Sequence, residues 1–253
     1  MFYSVCIPAV LGKLNTNDAL CAVAEAGFSH YEIWSWWDKD MDEYLALQKK
    51  LGLSIEGILV DLISLVNAEC HDAYLEALKK TVAMCQKMGC KKIISQVGQE
   101  MNDLSRAQQH ANLVAGLRRC VPYLEEAGIT LMIEPLNTKI DHIGYYLWQS
   151  KEAFEIIDEV GSANVKVIFD LYHQHIMNDL VIEDIVKNID KIAHFHMAGH
   201  PGRHEPLVKN EIDYIPILTA IRDCGYQGGI GLEYMPVNDP VQGLKELCGQ
   251  LPK

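Results

Sequence analysis

Four side chains in the second half of the chain are of types that could meet at a cation: Glu134 in IEPLN, Asp170 in IFDLYH, His196 in HFHMAG and Glu233 in GLEY. Each closes an apolar, β-branched run, where a strand would deliver it to a sheet edge. An acid at a strand end has an ordinary explanation, since it often caps the next helix or pairs with a nearby base. Four consecutive runs ending this way point instead to convergence. Three carboxylates gathered without a positive charge would raise one another's pKa values, and a bound divalent ion removes that repulsion. Carboxylate-rich ligation with one imidazole suits Mn²⁺, Mg²⁺ or Co²⁺ better than structural Zn²⁺, which would use more sulfur and histidine. The expected cofactor is therefore one divalent metal ion on Glu134, Asp170, His196 and Glu233.

The stretch HFHMAGHPGRHEP, residues 194–206, is unusually dense in ionisable side chains. Its His194 is read as facing away from the ligand rim, a packing residue or a donor behind it. His30, His71, His110 and His142 are expected at the surface, and His175 and His200 in loops near the rim. Polar strand ends in the first half are fewer: Glu32 in HYEIW, Asp61 in GILVDL and Gln96 in ISQVG. Trp34, Trp36 and Trp37 either wall a site off from water or pack at a rim.

A repeated beat along the chain must position these residues. Six times a helix-like stretch meets a glycine and then a β-branched run: AEAGFSHYEIW, KKLGLSIEGILV, QKMGCKKIISQV, EEAGITLMIEPL, DEVGSANVKVIFD and RDCGYQGGIGLEY. Glycine just past a helix accepts the left-handed cap at little steric cost. With the opening run and KIAHFHM, eight strands are predicted near 2–8, 30–36, 54–61, 91–98, 130–136, 165–171, 192–198 and 229–234. Helices between them imply parallel pairing, and eight such units in 253 residues fit one α/β domain, 1–253, folded as a single (β/α)8 barrel. Pro122 is expected to kink or divide the longest helix. An open doubly wound sheet is the competing fold, but no GxGxxG or GxxxxGKS/T follows a strand, which removes its usual nucleotide-binding form. Barrel enzymes carry their chemistry at C-terminal strand ends, where the four ligand candidates fall.

Bulk properties narrow the partners. A net charge of −12 opposes a phosphate-backbone partner, because Lys and Arg supply most of that affinity. The eight cysteines show no CxxC pair and read as reduced, buried thiols of a cytoplasmic protein. The apolar start FYSVCIPAVLG lacks a basic leader and reads as a first strand, and no run approaches a membrane span. A small-molecule sugar or sugar acid is the expected partner, with a homo-oligomer allowed for and neither nucleic acid nor membrane.

The succession IEPLN, FDLYH, HFHMAGHPGRHEP and GIGLEY resembles the sugar-phosphate isomerase/epimerase superfamily, the xylose isomerase-like barrels, and within it the hydroxypyruvate isomerase group. GRHEP is the sharpest of these motifs. The resemblance implies that Glu134 and Glu233 bind the metal and act as the proton-transfer pair, that Asp170 and His196 complete the coordination, and that His173 and Arg203 contact substrate oxygens. Trp34 and Glu205 join them as candidate substrate contacts. His196 stands where many hydroxypyruvate isomerases carry glutamine and ketose 3-epimerases carry histidine, and EIWSWWDKD lacks the proline usual in the group's second strand.

Chelation of a 2-hydroxy carbonyl compound through its two oxygens would acidify the intervening C–H for removal by one carboxylate. Return of the proton to the neighbouring carbon isomerises, and return to the other face of the same carbon epimerises. Arg203, in a loop bent by Gly199, Pro201 and Gly202, could fork onto a substrate carboxylate, the ordinary alternative being a pair with Glu205. Hydroxypyruvate or a related 2-oxo sugar acid is the expected substrate, with a ketose 3-epimerase or an isomerase of 2-oxo-tetronates or branched sugars, an endonuclease IV-like phosphodiesterase and a non-catalytic ligand-binding barrel as rivals.

Overall fold

In the computed structural model, which describes residues 1–208 and 210–252, the predicted glycine joints are in place. Gly52 (φ 68°) and Gly128 (φ 60°) end their helices in the left-handed conformation, and Gly27, Gly89, Gly161 and Gly225 also have positive φ. Each lets the chain leave a helix and drop directly into a strand.

Eight parallel strands result: β1 (Phe2–Cys6), β2 (His30–Ile33), β3 (Ser54–Leu59), β4 (Lys92–Ser95), β5 (Thr130–Ile133), β6 (Val165–Asp170), β7 (Ile192–Met197) and β8 (Gly229–Leu232). They close in sequence order, with β8 pairing back onto β1. The predicted strands are the right ones in the right order, and each overruns at its C-terminal end. Those last residues have left the ladder to start loops or, after β1 and β6, the next helix, so Glu134 and Glu233 stand one residue beyond β5 and β8.

The helices are α1 (Ile7–Val10), α2 (Thr16–Glu25), α3 (Met41–Leu51), α4 (His71–Met88), α5 (Arg106–Ala127), α6 (Ser150–Val160), α7 (Leu171–Met177), α8 (Ile182–Lys187), α9 (Tyr214–Asp223) and α10 (Pro240–Gln250). Pro8 lies in the first turn of α1, where its missing N–H costs nothing, and β1 therefore stops at Cys6. Pro122 does not divide α5, whose start is fixed by a Ser105–Gln108 capping box. Among the described residues all eight cysteines are free thiols, and no helix is long and apolar enough to cross a membrane.

The main core lies between strands and helices, but the barrel interior is divided. Leu59, Ile94, Met132 and Ile168, from β3 to β6, fill one half with hydrocarbon. The other half, from β1, β2, β7 and β8, is polar: Ser4, Glu32, His194 and His196 are buried there and hydrogen-bonded to one another. His194 thus points into the barrel on the same side as His196. The expectation that it faces away fails because residues two apart on a strand share a face.

Strand register places Gly231 between His196 and Ser4. A Cβ there would lie 2.5 Å from His196 Cδ2 and 2.6 Å from Glu32 Oε1. Gly231→Ala is therefore expected to destabilise the chain by about 1–3 kcal/mol through overpacking. An unchanged denaturant midpoint for this variant would contradict the packing described.

Candidate active site and metal centre

Asp170, the last residue of β6, also caps α7. Its Oδ1 accepts from Tyr172 N–H at 2.7 Å and His173 N–H at 3.0 Å. The ordinary explanation for an acid at a strand end therefore holds here, and it leaves Oδ2 unused by the cap. One donor atom each from Glu134, Asp170, His196 and Glu233 lies within 4.8 Å of the other three. All four residues are buried, none more than 6% exposed. Three carboxylates and an imidazole at that density could hold a divalent cation, and the oxygen-rich set fits a hard ion.

Without an ion the cluster is balanced by His196. Burial would drive its imidazole toward neutrality, but the carboxylates of Glu233, Glu134 and Glu32 outweigh that and raise it well above its ordinary value. Nδ1 contacts Glu134 Oε1 at 2.8 Å and Glu233 Oε2 at 3.4 Å, while Nε2 donates to Glu32 Oε2 at 3.0 Å. Glu32 is itself kept ionised against its burial by His194 and His196. It therefore fixes His196 with Nε2 turned into the barrel and Nδ1 facing the other acids, as an outer carboxylate does for a metal-bound histidine. Glu134 is pushed up to about 7, first by burial and then by the charges of Glu233 and Asp170, although His196 pulls the other way.

Glu233 is held from three sides. Trp34 Nε1 donates to its Oε1 at 2.9 Å, Cys6 Sγ lies 3.8 Å from the same atom, and Arg203 Nη2 donates to Oε2 at 2.7 Å. Arg203 does turn inward, at φ 53° and with its guanidinium 5.4 Å from the centre of the Tyr172 ring. Its partner is Glu233, not Glu205. The Glu205 carboxylate accepts from Val237 N–H at 3.2 Å and lines a separate surface hollow, so the expected substrate contact at Glu205 is not met. Arg203 spends Nη2 and a long Nε contact on Glu233, which leaves less than the full fork for a ligand.

A cavity of about 360 Å³ opens above the cluster. Glu134, His142, His173, His196, Arg203 and Glu233 are among its polar lining residues, and Trp34, Trp37, Leu59 and Ile94 among its apolar ones. His173 Nδ1 receives a hydrogen bond from Asn137 Nδ2 at 2.6 Å. The Asn137 carbonyl is already taken by Ile140 and Asp141 N–H groups, which fixes its amide orientation. His173 therefore carries its proton on Nε2, and that buried atom makes no hydrogen bond, with Asp170 Oδ2 3.5 Å away. Burial, with Arg203 adding to it, holds this imidazole neutral. It is a donor waiting for an oxygen.

Glu32, Asn137 and His142 are the contributors that the strand-end reading passed over. Glu32 was visible as a strand-end acid but had no assigned partner. His142 is half-buried and packs edge-on against His173, ring centres 5.2 Å apart. His71 is buried, its Nε2 2.9 Å from Leu65 O, whereas His30 and His110 are half-buried. Trp36 hydrogen-bonds Thr81, so of the three tryptophans only Trp34 and Trp37 line the cavity.

Residues 20–251 match the xylose isomerase-like TIM barrel family. The chain belongs to that family. It is 32% identical over 175 residues to hydroxypyruvate isomerase of Escherichia coli K12, covering 69% of this chain and 67% of the relative. To 2-oxo-tetronate isomerase of Cupriavidus necator it is 38% identical over 134 residues, covering 53% and 51%. The alignments thus span half to two thirds of these relatives. A crystal structure of an AP endonuclease, family 2, from Brucella melitensis superposes over 100% of both chains with TM-score 0.92 at 23% identity, a likeness of fold. In this member of the family the barrel mouth is where the buried charge collects.

A raised Glu134 has a signed consequence for the ion-free protein. A group whose folded pKa lies above its unfolded value stabilises the fold fully below the unfolded pKa, and that contribution is lost as pH rises through the folded one. Metal-free chain is expected to lose stability relative to Glu134→Gln as pH rises from the ordinary glutamate range through about 7. Denaturant unfolding in chelator at several pH values measures this, and a pH-independent difference would refute it.

Proposed function

We propose that the chain is a divalent-metal-dependent isomerase that works through an enediolate on a small 2-hydroxy carbonyl compound, hydroxypyruvate interconverting with tartronate semialdehyde or a related 2-oxo sugar acid. The observation that carries this reading is the contact of both Glu134 and Glu233 with His196 Nδ1 at the floor of the cavity. The names of the two relatives support the substrate class. A cation on Glu134, Asp170, His196 and Glu233, Mn²⁺, Mg²⁺ or Co²⁺ in preference to Zn²⁺, would supply Lewis-acid stabilisation of the enediolate.

The chain's own residues do the rest. One of the two glutamates takes the proton from the hydroxyl-bearing carbon, and that proton is delivered to the former carbonyl carbon while the hydroxyl proton passes between the two oxygens. Glu134, whose carboxyl is poised near 7, suits a group that must both hold and release a proton at neutral pH. His173 offers its Nε2–H to a substrate oxygen. Arg203, with Nη1 unengaged by Glu233, attracts the substrate carboxylate, and Trp34 and Trp37 in the cavity lining restrict water.

The same pair serves epimerisation, and an imidazole at position 196 favours a ketose 3-epimerase as the second reading. A phosphodiesterase with several zinc ions is disfavoured by the first half of the rim, where Asp61 is exposed and its carboxylate accepts from Leu62 N–H.

A substrate panel of hydroxypyruvate, tartronate semialdehyde and neutral ketoses, each with Mn²⁺, Mg²⁺ and Co²⁺ in deuterated water, tests the assignment. Turnover of the three-carbon acids with solvent deuterium entering carbon is expected, and activity on ketoses alone would replace the first reading by the second. Glu233→Gln is expected to lower kcat about 10²–10⁴-fold; full turnover in a folded sample would favour a barrel that only binds its ligand. Glu32→Gln keeps the shape but removes the charge behind His196 Nε2, and should weaken metal affinity about 10–100-fold by titration against a chelator. Unaltered affinity would remove Glu32 from the orienting role.

A further inference from the structure

We propose that His175, His200 and Glu211 form a second metal site that takes zinc, separate from the cluster at the barrel mouth. The three come from different parts of the fold. His175 is in the last turn of α7, and His200 and Glu211 stand at the two ends of a loop between β7 and α9. One donor atom from each lies within 4.8 Å of the other two.

Two of the donors are set in place by the backbone. Glu211 N–H donates to His200 O at 2.9 Å, and Asn210 Oδ1 accepts from both His200 N–H at 2.8 Å and Ile212 N–H at 3.1 Å, which draws the loop ends together. The His175 and His200 ring centres are 5.1 Å apart, and His200 Nδ1 is 3.0 Å from Glu211 Oε2. Among the described residues the His175 ring makes no hydrogen bond. Burial and the adjoining His200 both favour its neutral form, the one that ligates.

The donor set decides the ion. Two imidazoles and a carboxylate with a fourth position left for water is a zinc set, whereas the oxygen-rich cluster at the mouth suits a harder ion. Zinc bonds of about 2.0–2.1 Å put tetrahedral donors roughly 3.3 Å apart; His200 Nδ1 and Glu211 Oε2 already stand 3.0 Å apart, and all three donors lie within 4.8 Å of one another.

No residue is shared with Glu134, Asp170, His196 and Glu233. The ion would tie α7 to the loop that carries Arg203. Tyr172 already bridges them, with ring centres 6.1 Å from His200 and its ring 5.4 Å from the Arg203 guanidinium.

The test is a metal count on the full chain, by equilibrium dialysis and elemental analysis with Zn²⁺ or Mn²⁺ alone. Two zinc ions per chain but a single manganese are expected, with His175→Ala reducing zinc to one. A cobalt-loaded chain should lose one visible absorption component in the same variant. Glu211→Gln, at an exposed side chain, covers the case in which His175→Ala fails to fold, and should weaken the second zinc about tenfold or more. A zinc count that is the same in His175→Ala as in the unaltered chain, or a zinc count and affinity unchanged in Glu211→Gln, overturns the proposal. Activity does not enter the readout, so the outcome is independent of the reaction proposed for the barrel mouth.

Discussion

Everything at the barrel mouth follows from the cost of burying like charges together. Glu32, Glu134, Asp170 and Glu233 are all removed from water within one end of the barrel. Carboxylates in such a place must be neutralised, paired or protonated. The fold uses each means at a different position. Asp170 is satisfied by the backbone N–H groups of α7, Glu233 by Trp34 and Arg203, Glu32 by two imidazoles and Ser4, and Glu134 moves toward holding a proton. Removing one partner from such an arrangement leaves an unpaired buried charge, which is far more costly than any one contact is favourable.

The division of the barrel interior serves that constraint. Side chains from β3 to β6 pack as hydrocarbon beneath the cavity. On the other side, Gly229 and Gly231 give up their side-chain volume so that His194, His196 and Glu32 can stack in successive layers. At the far end Glu56 pairs with Lys92, and its Oε1 lies 3.7 Å from His194 Nδ1. A polar column therefore runs down half of the barrel, and the hydrocarbon half gives it rigid walls.

The alternation of strands and helices was legible in the sequence because glycine joints and β-branched runs are local signals, and six of the strand returns rest on them. The convergence of four ligand candidates was legible for a second reason, since a closed parallel barrel puts all C-terminal strand ends on one rim. Pairing across the barrel was not. Glu32 meets His196 only through the register of β1 and β8, the two strands that stand between theirs. Glu205 was associated with the site because it is near Arg203 in sequence, yet the left-handed turn at Arg203 sends the two side chains to different surfaces. His194 could have been placed correctly from strand periodicity alone.

Two of the rim histidines show how a proton is assigned by what lies behind the ring. Asn137 can only donate through Nδ2, so His173 must present N–H to the cavity. Glu32 can only accept, so His196 must keep its proton inside and turn Nδ1 toward the acids. One imidazole faces the ligand space as a hydrogen-bond donor, and the other has its lone pair available there once the shared proton is displaced. The contrast cannot be read from histidine as a residue type. It follows from one amide and one carboxylate, neither of which lines the cavity, and it gives two chemically identical side chains opposite tasks in one cavity.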